Sequence, residues 1–503
     1  MGKHLLIFCD RFHWLWLALA SPFMLFPSPT RSLAMLVVPG LFLLRWLAIK
    51  EQKRASLQKS STIIKVQQSV VACTPFNLAL LLMILMVLVS IWATFDINLS
   101  LPKISGIILG LGIFQVIVRE GQTRRAWWLC FLFFMVTGLG IAVIGLLGTH
   151  WFTKIAILTP IVSRLTPRII GLPGAEEGFH PNTVAGALVW VIPCYLTFSW
   201  ILLTKTRDIQ GFLGRGKANV VSALTIGATL WILAILILTQ SRDGYISLAL
   251  SLPVLFLIAL PRKRRWHGIV FLALFIIIVG VLLASHWGTV RPWIIDNILK
   301  SSTGLSMDSF NDRLQVWSRA IYGISDFPFT GMGMNTFRKI MPVLYPVLNI
   351  SPEKDIGHAH NEFLQAALDL GIPGLVAFIA IYLIAFWMLI RIWRRALALD
   401  KFLSNEQTKR IPLIIHGRNF GENADLSLAN SRLVQAAVLG LGGGLLAHLL
   451  WGMTDAMALG SRPGFLFWII LALITGLHQQ VFGNVDGQDE SSSLSEAKET
   501  VSK

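Results

Sequence analysis

The chain has 503 residues, 54% of them hydrophobic and only 14% charged, with mean hydropathy +0.67. That composition excludes a soluble globular protein of this length and describes a polytopic membrane protein. A formal charge of +17 would point to nucleic acid in a soluble chain, but here the basic residues gather in short loops between apolar runs, as topology signals and anionic-lipid contacts do.

Runs long enough to span a bilayer fall at about 14–28, 33–49, 76–95, 103–118, 127–147, 183–203, 219–239, 243–260, 268–285, 374–393, 433–454 and 463–479. The expected fold is therefore an all-α polytopic membrane protein with about twelve transmembrane helices. The first run follows Lys3 and Arg11, lacks a small-residue cleavage site and leads at once into a second run, so it reads as a retained helix. The exits of the even-numbered runs are basic, with Arg45, Lys50, Arg119, Arg124, Lys205, Arg215, Arg262 to Arg265, Arg391 and Arg394 among them. Those loops and both termini are expected on the cytoplasmic side.

Two long loops then fall on the outer side, at about 148–182 and 286–373. The second is too long for a structureless connector, so short helices are expected in it. The division expected is 1–285 for helices one to nine, 286–373 for the large extracytoplasmic loop, 374–479 for helices ten to twelve, and 480–503 for an acidic, Ser-rich, disordered cytoplasmic tail. The polar cytoplasmic loop at about 394–432 carries no constellation that points to chemistry. Cys9, Cys73, Cys130 and Cys194 are scattered in or beside apolar segments and suggest neither a metal site nor a disulfide.

The outer loops hold the residues that could do water-phase chemistry. Phe179-His180-Pro181-Asn182 enters the sixth helix, with Asn182 read as its N-cap or as a substrate contact. Gln240-Ser241-Arg242-Asp243-Gly244 sits at the outer boundary of the seventh and eighth runs. Arg242 there could snorkel to headgroups, pair with Asp243, or clamp phosphate oxygens with its fork of donors. Arg313 lies four residues before Trp317 on a helix face, open to a cation–π contact, a salt bridge or the same anion role. Gly331-Met332-Gly333 lacks the third glycine and the strand of a dinucleotide fingerprint and reads as a turn.

The large loop closes on Ile356-Gly357-His358-Ala359-His360-Asn361-Glu362-Phe363, followed by apolar residues at helical spacing up to Gly371-Ile372-Pro373-Gly374. His358, His360 and Asn361 thus stand at a helix N-terminus, where positive charge is disfavoured and a histidine stays neutral, as a general base must. The alternative is that these residues only cap the helix. His358, His360 and Glu362 alternate, as metal ligands on an extended segment could, but a helix starting near Asn361 breaks that alternation and no HExxH is present.

Taken together, the sequence resembles the O-antigen ligase and O-antigen polymerase superfamily. His360-Asn361, nine residues and Gly371-Ile372-Pro373-Gly374 are similar to its ligase signature, and His180-Pro181-Asn182, Ser241-Arg242 and Arg313 ahead of Trp317 to its other recurring positions. The departures are Asp243-Gly244 after Ser241-Arg242 and the long loop before the eleventh helix. The resemblance implies metal-independent, inverting glycosyl transfer without a cofactor, from an undecaprenyl-diphosphate-linked glycan to an acceptor hydroxyl, on the outer face of the cytoplasmic (inner) membrane. It implies His360 as the base and Arg242 and Arg313 as the diphosphate holders, with His358, Asn361 and Asn182 secondary. The expected partners are that donor, a lipid-anchored or glycan acceptor and membrane lipids, with no nucleic acid. A polysaccharide polymerase, a protein O-oligosaccharyltransferase and a membrane protein associated with bicarbonate transport are the alternatives.

Overall fold

The computed structural model describes residues 2–58, 69–173, 175–204, 214–286, 310–347, 356–404, 414–415, 418–419 and 424–482. Residues 483–503 of the expected tail, residues 287–309 and 348–355 of the large loop, and much of the loop between 404 and 424 lie outside the described residues. Within them the protein is an all-α polytopic membrane protein. Nine of the described helices are long and apolar enough to cross a membrane, and His13–Leu25 and Asn77–Ala93 are shorter apolar helices. The remaining apolar run falls on Arg262–Ser285.

Two compact units divide the chain. Unit one comprises Met1–Phe133, Ser318–Ile392 and Ala456–Lys503; unit two comprises Phe134–Trp317 and Trp393–Asp455. In unit one, α1 (Gly2–Arg11), α2 (His13–Leu25), α3 (Val37–Gln58), α4 (Asn77–Ala93) and α5 (Ile97–Glu120) precede the start of α6 (Arg124–Gly148). Lipid offers no hydrophobic drive between helices, so small residues and close backbone approach do the packing. Gly112 of α5 meets Leu17 and Val38, and Gly110 faces Trp468 so closely that a Cβ would lie 2.1 Å from its ring. The Trp127 indole donates to the Leu473 carbonyl at 2.8 Å.

In unit two, α7 (Pro181–Thr204) is the central helix, buried along most of its length. Around it pack α8 (Arg215–Thr239), α9 (Arg242–Ala259) and, after α10 (Arg262–Ser285) in the chain, the helix Ala424–Trp451. Gly440, Gly443 and Gly444 bring that last helix onto Cys194, Pro193 and the Trp190 carbonyl. Trp190 and His448 stack there with ring centroids 3.7 Å apart.

The large loop contributes α11 (Phe310–Asp326) and α12 (Phe337–Leu344), short helices of the kind expected. It leads into α13 (Glu362–Ser404), where the structure refines the expectation. The helix of the histidine motif and the tenth apolar run are not joined by a loop; they form one helical stretch broken only at Gly371, with φ 69° and ψ 177°. The break frees backbone groups, and the Gly331-Met332-Gly333 turn takes them up. Met332 N–H donates to the Leu368 carbonyl at 2.7 Å, and Ile372 N–H donates to the Pro328 carbonyl at 2.7 Å. Gly331 also has a positive φ (68°), and a Cβ on it would lie 2.7 Å from Gly371 N and from Leu368 O. The glycines of that turn are there for close approach, not for a nucleotide.

Gly371→Ala tests this arrangement. Its backbone lies in a region essentially confined to glycine, which costs other residues about 1–3 kcal/mol, and its Cβ would sit 2.5 Å from the Phe329 carbonyl oxygen. Thermal melting in detergent should drop clearly. Gly140→Ala, in a helix with nothing within 4 Å of the new Cβ, should be neutral or stabilising by up to about 1 kcal/mol.

Candidate functional site

In unit one the histidine stretch is irregular from Ile356 to His360 and becomes helix at Glu362. Asn361 caps it. Its side-chain oxygen accepts the N–H groups of Phe363 and Leu364, both at 3.0 Å. Capping is therefore the work of Asn361, not of the histidines. His360, just before the cap, has φ 49°, a left-handed conformation uncommon outside glycine that concentrates at functional sites. Its N–H donates to His358 Nδ1 at 3.2 Å, and the two imidazoles lie 4.4 Å apart, tilted by 58°. Because His358 Nδ1 accepts that bond, a neutral His358 carries its proton on Nε2. Both rings are half-buried.

Glu362 does not join the histidines. Its carboxylate accepts the backbone N–H groups of Met457 and Ala458, which fixes the first turn of α13 against the 456–461 segment. The alternating ligand set weighed from the sequence thus has its carboxylate bound elsewhere, and the two imidazoles are what this stretch offers a metal.

A buried polar network holds the turn from behind. Gln365 accepts the Ala359 N–H at 2.8 Å and donates to Asp369 Oδ1 at 2.8 Å. Asp369, 1% exposed, also accepts the Asn335 N–H at 2.9 Å and pairs with Lys103 Nζ at 2.5 Å. Asn335, itself at φ 63°, donates to the Leu99 carbonyl at 2.8 Å. Lys103, Asp369, Gln365 and Asn335 were not singled out by the sequence reading. A signal existed: an ionisable residue within an apolar run is costly and marks a paired or functional position, and both Lys103 and Asp369 are of that kind.

Unit two carries the arginines. Ser241 caps α9, accepting the Gly244 N–H at 3.3 Å, and Arg242 is its first helical residue. Asp243 pairs with Arg313, not with Arg242: the guanidinium forks onto the carboxylate at 3.1 and 2.7 Å. The salt bridge weighed for Arg313 is thus present, and it brings the turn carrying Arg242 and the N-terminal part of α11 together. Gln240, at φ 53° and 1% exposed, anchors the same turn. Its side chain accepts the N–H groups of Lys154 and Ile155 at 2.8 and 2.5 Å and donates to the Phe152 carbonyl at 3.1 Å.

Asn182 is a correction. It is not the N-cap of α7; Pro181 is the first helical residue, and the Thr183 and Val184 N–H groups turn back to the His180 carbonyl at 3.0 and 3.3 Å. Proline at the first position already fixes φ and needs no donor. The Asn182 side chain is left to face Lys154, whose Nζ lies 3.5 Å from its Oδ1.

Chemically, unit one presents a paired imidazole at a helix start, and unit two presents cations at two helix starts, the arrangement anions favour. The network behind the histidines is open to test first. Removing one partner of a buried ion pair costs about 3–5 kcal/mol. Lys103→Met and Asp369→Asn should each lower the melting temperature strongly, and the double variant should recover part of the loss, because neither charge is then left unmatched. Additive losses would mean that the pair is not coupled.

No curated protein matches the chain. Residues 227–379, from α8 through the histidine motif into α13, match the family model described as O-antigen ligase, which supports the likeness to the O-antigen ligase and polymerase superfamily.

Proposed function

We propose that the protein moves a glycan from an undecaprenyl-diphosphate carrier to an acceptor hydroxyl on the outer face of the cytoplasmic membrane. One observation carries this reading: Asn361 takes the capping bonds, so the adjacent His360 is held in a left-handed turn beside His358 without serving the helix. A residue kept at that conformational cost with no capping duty fits a base.

In the proposed reaction the acceptor oxygen attacks the anomeric carbon from the face opposite the diphosphate. The new C–O bond forms as the bond to the phosphate oxygen breaks. The hydroxyl proton passes to His360, and the electron pair leaves on the diphosphate. Arg242 and Arg313 hold that diphosphate and stabilise the charge developing on it. The leaving group is a good one, so the reaction needs no metal, and inversion follows from a single displacement. A polymerase would use the same chemistry with a growing glycan as acceptor. Deleting the protein separates the two: a ligase loses attachment while long chains persist, whereas a polymerase leaves single repeat units.

The basic even-numbered exits support a topology with both termini cytoplasmic, in which a cysteine at Ser309 is labelled by an impermeant reagent from outside and one at Asn405 is not. The catalytic assignment makes a sharper forecast. His360→Ala should lower transfer by roughly 10²–10⁴-fold, the usual worth of a general base, with the lipid donor still bound. His358→Ala should be milder. Asn361→Ala should cost about 1 kcal/mol of stability, as a lost cap does, while turnover persists. Arg242→Lys should lose most activity because a point charge replaces a planar fork. Chelators should leave the wild type active; normal transfer by His360→Ala, or inhibition by chelation, contradicts the mechanism.

A further inference from the structure

We propose that unit one holds a seat for one phospholipid with a phosphoethanolamine headgroup, at the end of α5 remote from Lys103; the seat stands independently of the glycan-transfer reading. Lys103, which pairs with Asp369 behind the histidine turn, and Arg119 lie sixteen residues apart on α5, about 24 Å along a helix. At the Arg119 end, α2, α3 and α5 border a half-open cavity of about 150 Å³, where a single water needs only about 10–15 Å³. Phe42 and Val116 supply apolar lining, and His13, Arg45 and Arg119 supply polar lining.

His13 is only 5% exposed. Its Nδ1 donates to the Asp10 carbonyl at 3.0 Å, since a carbonyl can only accept. Nε2 of a neutral His13 therefore carries a lone pair, and this buried atom has no hydrogen-bond partner among the described residues. Glu120 Oε1, a second acceptor, stands 3.5 Å from it. Two acceptors side by side call for a donor that serves both, and a primary ammonium offers three N–H groups. A water would meet that need alone, but the cavity is many times larger, and its remaining polar lining suits an anion.

That lining is the pair of arginines. Arg119 forks onto Asp10 at 2.9 and 2.8 Å, and Arg45 gives Asp10 one further bond at 2.8 Å. Asp10 thus takes one nitrogen of the Arg45 fork, which leaves that guanidinium further donors for phosphate oxygens. Asp10 and Glu120 match Arg45 and Arg119 in charge, so the cavity suits a ligand that carries both signs and no net charge. Trp14 and Trp46 directly follow His13 and Arg45 and are exposed. Tryptophans so placed sit at the membrane–water interface, which puts the cavity at headgroup depth. The headgroup ammonium then lies on His13 and Glu120, its phosphate on Arg45, and its acyl chains along Phe42 and Val116.

The test titrates the full chain in detergent with phosphatidylethanolamine, phosphatidylcholine and phosphatidylglycerol of identical acyl chains, and counts bound lipid by native mass spectrometry. One phosphatidylethanolamine should be held roughly ten- to hundred-fold more tightly than phosphatidylcholine, the worth of one charge-assisted hydrogen bond, because a quaternary ammonium has no N–H to donate. Glu120→Gln and His13→Phe should each erase that preference while the melting temperature stays near that of the wild type. If neither variant folds, phosphatidylethanolamine with a photoreactive acyl chain is crosslinked to the wild type in liposomes. Label near Phe42 or Val116 supports the seat, and label only elsewhere overturns it. Equal retention of phosphatidylethanolamine and phosphatidylcholine, tighter retention of phosphatidylglycerol, or an undiminished preference in the folded variants overturns it as well. Free phosphoethanolamine should not displace the lipid; displacement at equal concentration would make the soluble compound the ligand and overturn the lipid assignment.

Discussion

Backbone groups released by a broken helix have to be satisfied inside the protein when the helix enters a membrane, since lipid offers them nothing. At Gly371 they are. The Leu368 carbonyl takes the Met332 N–H, and the Pro328 carbonyl takes the Ile372 N–H. Much of the histidine region follows from this constraint. The break lets the first nine residues of α13 leave the direction of the membrane run that follows. It also fastens them to the turn at 331–333, whose next residue but one, Asn335, delivers its N–H to Asp369. Asp369 in turn orients Gln365, and Gln365 holds Ala359 between the two histidines. A kink that looks like a defect in a helix is thus the start of a chain of contacts that ends at His360.

The division of labour at the helix start matters as much as its position. A histidine could have capped α13, and it would then have been a structural residue. Asn361 removes that possibility by accepting two backbone N–H groups itself. Unit two shows a related economy. Asp243 is engaged with Arg313, Gln240 with the segment carrying Lys154, and Ser241 with the helix cap, so the three residues flanking Arg242 at 240, 241 and 243 each fix a different element around it.

Much of the fold was legible because membrane-length apolar runs are an unambiguous signal: each expected run falls on a helix. The histidine motif was legible because a polar cluster ahead of an apolar helical pattern stands out, and Gly371-Ile372-Pro373-Gly374 marked the break. What it could not give was tertiary. Lys103 and Asp369 are far apart in sequence, and nothing local says that they pair. Asn182 looked like a cap because Asn commonly is one, yet Pro181 had already begun the helix. Asp243 was weighed as a partner for its neighbour Arg242, whereas the carboxylate reaches Arg313, seventy residues on.

The central claim is a single displacement driven by a base. The measurement that tests it most directly is the anomeric configuration of the new linkage. Purified protein in liposomes would be given a donor of defined configuration and an acceptor, and the product read by NMR. The account predicts complete inversion at the transferred sugar. Retention would require a glycosyl-enzyme intermediate that His360 acting as a base does not form, and it would contradict the mechanism.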